Sequence, residues 1–145
     1  MNEWFECKVR YDKPQGDGSI KQTNELYLVE GLSFSEAENS VIEELNPYIS
    51  GEFMVDTMKR AKYAEIFTSE DAASDRYFRI RVSFITIDEK TEKEKLQNVN
   101  YLVLAVDVKT ALDTLTKNMA DTLGDYRIGN ITETKILDIF RHKTK

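Results

Sequence analysis

The sequence predicts an α+β fold of two internally duplicated ββαβ units, and three observations predict it. Segments whose apolar residues alternate with polar ones, the period of a half-buried strand, stand at 4–11 (WFECKVRY) and 77–84 (YFRIRVSF). Each is followed by a turn-rich stretch, a second strand-like run and a helical segment with one apolar stripe. The pieces also recur in order. Phe5 and Val9 lie over Phe78 and Val82 at an offset of 73, and Lys62, Ile66 and Phe67 lie over Lys135, Ile139 and Phe140 at the same offset. Between them Asn24, Tyr27, Leu28, Val29 and Ala37 lie over Asn98, Tyr101, Leu102, Val103 and Ala111 at an offset of 74, so the second hairpin is one residue longer.

Taken in order, the first strand directs Phe5, Cys7, Val9 and Tyr11 to one side and Trp4, Glu6, Lys8 and Arg10 to the other. KPQGDGS, dense in residues that tolerate tight reversal, makes the hairpin, and Glu25 to Glu30 return. Ser33 with Glu36 three residues later is a capping box, after which Ala37, Val41 and Leu45 recur at helical spacing with Phe34 and Ile42 beside them. Asn46-Pro47 ends this helix, because proline lacks an amide donor and disfavours helix in the residue before it. A long β-rich run follows at 53–67, with a bend or bulge expected at Asp56. The second half repeats the plan, with Asp107 as helix cap, a stripe of Ala111, Leu115 and Met119, and a run at 126–140 bent at Gly129-Asn130. The expected organisation is a first repeat at 1–67, a polar linker at 68–76, a second repeat at 77–141 and a basic tail at 142–145, the repeats sharing one globular domain. A striped helix must cover an apolar sheet face, so both helices are expected on one face of an antiparallel-rich sheet, related by a pseudo-twofold axis.

The totals exclude several classes. With 145 residues, 41% hydrophobic and 32% charged, the chain has the balance of a soluble globular protein. No apolar run approaches the roughly 20 residues of a membrane helix, and MNEWFECKVR lacks the basic-then-apolar order of a signal peptide, so a cytoplasmic location is expected. One cysteine, Cys7, and one histidine, His142, leave little material for disulfide, zinc or triad chemistry. Asp88, Glu89, Glu92 and Glu94 are interleaved with Lys90, Lys93 and Lys95 and read as a solvated hairpin tip, while Gln15 to Ser19 lacks the Gly-Lys-Ser/Thr of a phosphate loop and reads as a turn. No catalytic residue, metal or cofactor is expected, and the protein is read as a binder rather than an enzyme.

The binding expectation comes from the strand faces opposite the helices. Trp4, Lys8 and Arg10 on one copy, and Tyr77, Arg79 and Arg81 on the other, combine rings with cations, as single-stranded DNA or RNA requires: rings stack bases and cations hold phosphates. Trp4 and Tyr77 are the expected stacking residues, Lys8, Arg10, Arg79 and Arg81 the phosphate contacts, and Lys59, Arg60 and Lys62 outlying contacts. About four engaged phosphates would give a salt slope near −3. The net charge of −6 opposes nonspecific binding as a sum, but much of the acid is on the first helix and at the second hairpin tip. Two other readings stay open: that Trp4 and Tyr77 serve a protein interface or homodimer, and that aromatics and arginines hold a nucleotide-like small molecule between repeats or subunits.

The order of these elements resembles, under circular permutation, the repeated four-strands-and-helix units of the PUR and Whirly single-strand binders, which implies nucleic acid on the sheet. WFECKVRYDK, LYLVEGLSFSEAE and KILDIF are similar to short proteins of unknown function from Bacteroidetes and their phages. That resemblance implies a bacterial or phage cytoplasmic setting and carries no site residues.

Overall fold

The computed structural model describes residues 2–142, so the expected basic tail at 142–145 lies, beyond His142, outside the described residues. The chain is α+β: β1 (Glu3–Pro14), β2 (Ile20–Gly31), α1 (Phe34–Leu45), β3 (Phe53–Ala61), β4 (Ile66–Thr68), β5 (Arg76–Ile87), β6 (Glu94–Ala105), α2 (Val108–Asn118), β7 (Asp125–Glu133) and β8 (Ile136–Phe140). These form two four-stranded sheets, ordered β3-β1-β2-β8 and β4-β6-β5-β7, each in its own compact unit. Among the described residues, unit 1 holds 2–61 and 135–142, and unit 2 holds Lys62–Thr134.

The division follows main-chain pairing and cuts the chain elsewhere than the expected repeats at 1–67 and 77–141. Each β-rich run expected as one strand is two. After β3 the chain leaves the β1 edge; Ala64 N donates to Asn100 O at 2.8 Å, and β4 then runs parallel to β6. After β7 the N–H and the hydroxyl of Thr134 both donate to Tyr77 O, at 2.9 and 2.8 Å, and β8 then runs parallel to β2. Each sheet therefore takes its fourth strand from the opposite half of the sequence. The single sheet carrying both helices is corrected to two sheets with one helix each.

In unit 1 the apolar side of the hairpin, Phe5, Cys7, Val9, Tyr27 and Val29, packs with Ala37, Val41, Leu45 and Ile49. Phe140 of β8 stacks on Tyr27 with ring centroids 5.4 Å apart. Gly31 allows the helix to approach, since a Cβ there would stand 3.3 Å from the Ala37 backbone nitrogen. In unit 2 the corresponding set is Phe78, Ile80, Val82, Tyr101, Val103 and Ala105 with Ala111, Leu115 and Met119, and Phe67 of β4 stacks on Tyr101 at 5.6 Å. Both expected helix starts are present. Glu36 N donates to Ser33 Oγ at 3.2 Å, with the Glu36 carboxylate accepting from Leu32 N, one residue earlier than the usual box; Thr110 N donates to the Asp107 carboxylate at 2.8 Å. Hydrogen bonds from the Thr110 amide and then the Thr110 side chain hold the Asp107 carboxyl below its ordinary pKa.

The bulges also stand where the sequence places them. The β1–β3 register shifts between Lys8 and Val9, leaving Asp56 as the extra residue, and the β5–β7 register shifts between Ile80 and Val82, leaving Gly129 and Asn130 opposite Arg81. A bulge bends and twists the edge strand, which protects the long edges of β3 and β7 from pairing with other chains.

Leu115, fully buried at the centre of the second cluster, sets the first prediction. Leu115→Ala is expected to cost about 2–5 kcal/mol in urea unfolding through lost burial and the cavity left behind. Asp107→Ala, which removes only a cap, is expected to cost about 1 kcal/mol.

Candidate nucleic-acid interface

The helices cover one face of each sheet, so candidate binding residues are placed by strand alternation on the far face. The two far faces differ in charge balance.

On unit 1 the far face of β1 carries Trp4, Glu6, Lys8 and Arg10. Three of its expected contacts are already engaged. The buried Glu6 lies 3.3 Å from Lys59 Nζ on β3, and Arg10 lies 3.9 Å from the Asp56 carboxylate while donating to the Met54 sulfur at 3.1 Å. Trp4 is half-buried, with the Arg141 guanidinium 5.6 Å from its ring centroid, a cation–π arrangement that occupies that ring. Arg60 does not belong to this face: it pairs with Phe5 in register, lies 4.9 Å over the Phe34 ring and bonds Glu3 at 3.3 Å. Lys8 is exposed and makes no ion pair among the described residues.

On unit 2 the far face of β5 carries Tyr77, Arg79, Arg81 and Ser83. The expected stacking role of Tyr77 needs correction, because Tyr77 is only 8% exposed; its cross-strand neighbour is Leu104, with the fully buried Leu102 diagonal to it, so this end of the face is apolar and covered. Arg79 and Arg81, next along the strand, are exposed and make no ion pair among the described residues. Around Arg81 the cross-strand positions are uncharged: Asn100 on β6 and the Gly129-Asn130 bulge on β7. Ser83, buried, donates to the Asn98 side-chain oxygen at 2.6 Å, which fixes the amide and turns its NH₂ into an oriented donor. Arg127, opposite Ser83, is 3.9 Å from Glu94 at the far end. Lys62 is exposed at the start of unit 2, before β4.

Sequence reasoning missed Asn98, Asn100 and Asn130. The signal for Asn98 and Asn100 lay in the polar phase of QNVNY, where they alternate with Val99 and Tyr101, whereas the sequence shows Asn130 only as part of a bend. Asn98 was matched to Asn24 as a repeat residue without being placed on a face.

Among the clefts formed by described residues, two lie at corresponding places in the two units. Between α1 and the chain leaving β8, Glu36, Ser40, Glu43 and Phe140 line a cleft of about 450 Å³, where His142 Nε2 meets Glu36 at 2.6 Å. Between α2 and the chain leaving β4, Thr110, Asp113, Thr114 and Ser69 line one of about 320 Å³, where Lys117 meets Glu70 at 2.8 Å and holds that carboxyl below its ordinary pKa. No group of three or more metal-ligating side chains occurs among the described residues. No helix among them is long and apolar enough to cross a membrane.

Cys7 packs within the unit 1 core, where burial, with a smaller push from Glu38, raises its thiol from 9.0 to about 12. Burial and Glu25 raise Tyr11 from 10.0 to about 12. Both groups favour their neutral forms in the fold, so their contribution to stability is complete below the unfolded value and is lost as pH rises through the folded one. The melting temperature is expected to decline on titration from about pH 9 to pH 12, and Cys7 to react with a thiol reagent at pH 8 only after unfolding.

Residues 3–142 match the model of a domain of unknown function, DUF4494. No curated protein and no solved structure matches the chain.

Proposed function

The chain belongs to the DUF4494 family, and from that premise we propose that it is a non-enzymatic binding protein that holds the phosphate backbone of single-stranded nucleic acid on the far face of unit 2. One observation supports this reading above the others: Arg79 and Arg81 stand two residues apart, exposed and without an ion pair among the described residues, with Asn100 and the Gly129-Asn130 bulge opposite Arg81 and Leu102 and Thr132 opposite Arg79, none of them a carboxylate. A guanidinium presents several N–H donors in a plane and bonds phosphate oxygens in pairs, and asparagine amides beside it add donors suited to phosphate or base oxygens. Contact is mainly with the backbone, because the ring expected to stack a base, Tyr77, is buried.

Unit 1 offers less to an anion. Its face carries Lys8 as an exposed, unpaired cation among the described residues, while Arg10 and Lys59 are matched by Asp56 and Glu6. Two engaged phosphates therefore give a shallower salt dependence than four. A fluorescently labelled thymidine oligomer should bind with log K falling against log salt at a slope of about −1.4. The Arg79→Ala/Arg81→Ala variant should lose binding at low salt while keeping its melting temperature; equal affinity in wild type and variant would remove the proposal.

Self-association is the second reading. Tyr48 and Leu123, in the loops after α1 and α2, are 84% and 95% exposed, far more than large apolar side chains usually are. If these loops join two copies, light scattering at rising concentration shows a dimer that Leu123→Ser dissolves. A monomer throughout excludes it.

A further inference from the structure

The bulges of the two sheets occupy corresponding positions and carry opposite chemistry. In unit 1, Asp56 is the extra residue between Val55, opposite Val9, and Thr57, opposite Lys8. In unit 2, Gly129 and Asn130 lie between Ile128, opposite Val82, and Ile131, opposite Ile80. Asp56 and Gly129 are 73 positions apart, the offset that also relates Val9 to Val82 and Lys8 to Arg81. Unit 1 thus supplies an anion of its own at the bulge, the Asp56 carboxylate 3.9 Å from Arg10. Unit 2 has a glycine there.

A glycine inside a strand weakens it, so its presence asks for a reason. Backbone conformation does not provide one: Gly18, Gly51 and Gly124 have positive φ, and Gly129 is not among them. Space does. A Cβ on Gly129 would stand 3.2 Å from Arg81 Nε and 3.4 Å from its Nη2. The Arg81 guanidinium lies against bare backbone, closer than a Cβ at this position would ordinarily allow. We infer that the β7 bulge is an oxyanion subsite, in which Arg81, laid over Gly129, receives a phosphate oxygen where unit 1 uses its own Asp56.

Holding the guanidinium against the strand removes rotamer freedom that binding would otherwise have to remove. Asn130 in the bulge and Asn100 across β6 flank Arg81 and add amide donors without a competing negative charge. This rests on the reading that the far face of unit 2 meets a phosphate backbone; a free phosphate ester presents the same oxyanion, and the experiment separates the two.

The test follows the Arg81 Nε–Hε signal by NMR while inorganic phosphate or a thymidine oligomer is added, beside anisotropy titrations of the labelled oligomer. Gly129→Ala keeps every charge and asks only a flexible side chain to move, so melting temperature and salt slope should stay as in wild type. Affinity should fall about two- to tenfold, as for losing one preorganised side chain. Gly129→Asp, which copies unit 1, should abolish oligomer binding and the response of Arg81 to phosphate. Arg81→Ala should make the salt slope about 0.7 less steep. An Arg81 signal unmoved by both ligands, or wild-type affinity in Gly129→Ala and Gly129→Asp, overturns the inference. A saturable response to phosphate that Gly129→Asp removes, without oligomer binding by the wild type, upholds the subsite for a free phosphate ester and overturns the nucleic-acid reading instead.

Discussion

The structure depends on the pairing of two short parallel strands, β8 along β2 and β4 along β6. Each completes a sheet that the local hairpin begins, and each comes from the other half of the sequence. The aromatic stacks of Phe140 on Tyr27 and Phe67 on Tyr101 fix these strands sideways, while hydrogen bonds fix them along the edge. Neither half of the chain can close its own sheet, so the ordering of residues 136–140 belongs to the stability of unit 1 and that of 66–68 to unit 2. A chain half of this size buries little surface alone, and each unit draws residues from both halves of the sequence.

Much of this was legible because period and punctuation are local. The alternation of Phe5, Cys7 and Val9, the caps at Ser33 and Asp107, and the bulges at Asp56 and Gly129-Asn130 are each decided within a few residues. The crossing strands were not legible. β4 spans three residues, and parallel pairing leaves no hairpin signal, so 53–67 and 126–140 looked continuous. Of the candidate site, the phase of the strands was right, and it placed Arg79 and Arg81 on a far face where both are exposed. Period two cannot say how much of a face is covered, which is why Tyr77 looked available. Nor does it reveal partners across strands: Lys59 with Glu6 and Arg10 with Asp56 are 53 and 46 positions apart.

Those partners decide what the two faces can do. An exposed ion pair adds little stability, roughly 0–1 kcal/mol, but it lowers the local potential that an external anion would feel. Unit 1 pairs Lys59, Arg10 and Arg60 with Glu6, Asp56 and Glu3, whereas Arg81 faces Asn100 and the Gly129-Asn130 bulge and Arg79 faces Thr132 and the buried Leu102. The difference is produced by very few positions, chiefly Glu6 against Arg79 and Asp56 against Gly129.

On the proposed reading, a net charge of −6 sharpens selectivity at the site. Acid concentrated on α1, at Glu36, Glu38, Glu43 and Glu44, and at the second hairpin tip repels a polyanion from most of the surface. Screening confines each charge's influence to about 8–10 Å at physiological salt, so the two guanidiniums act chiefly at contact range. Under those conditions a small cationic patch on an acidic protein selects for ligands that fit the patch, because no diffuse positive field exists to hold a misplaced one. The weak electrostatic term that follows from two cations must be supplemented by geometry, and a guanidinium held against a bare strand is the geometry that unit 2 provides.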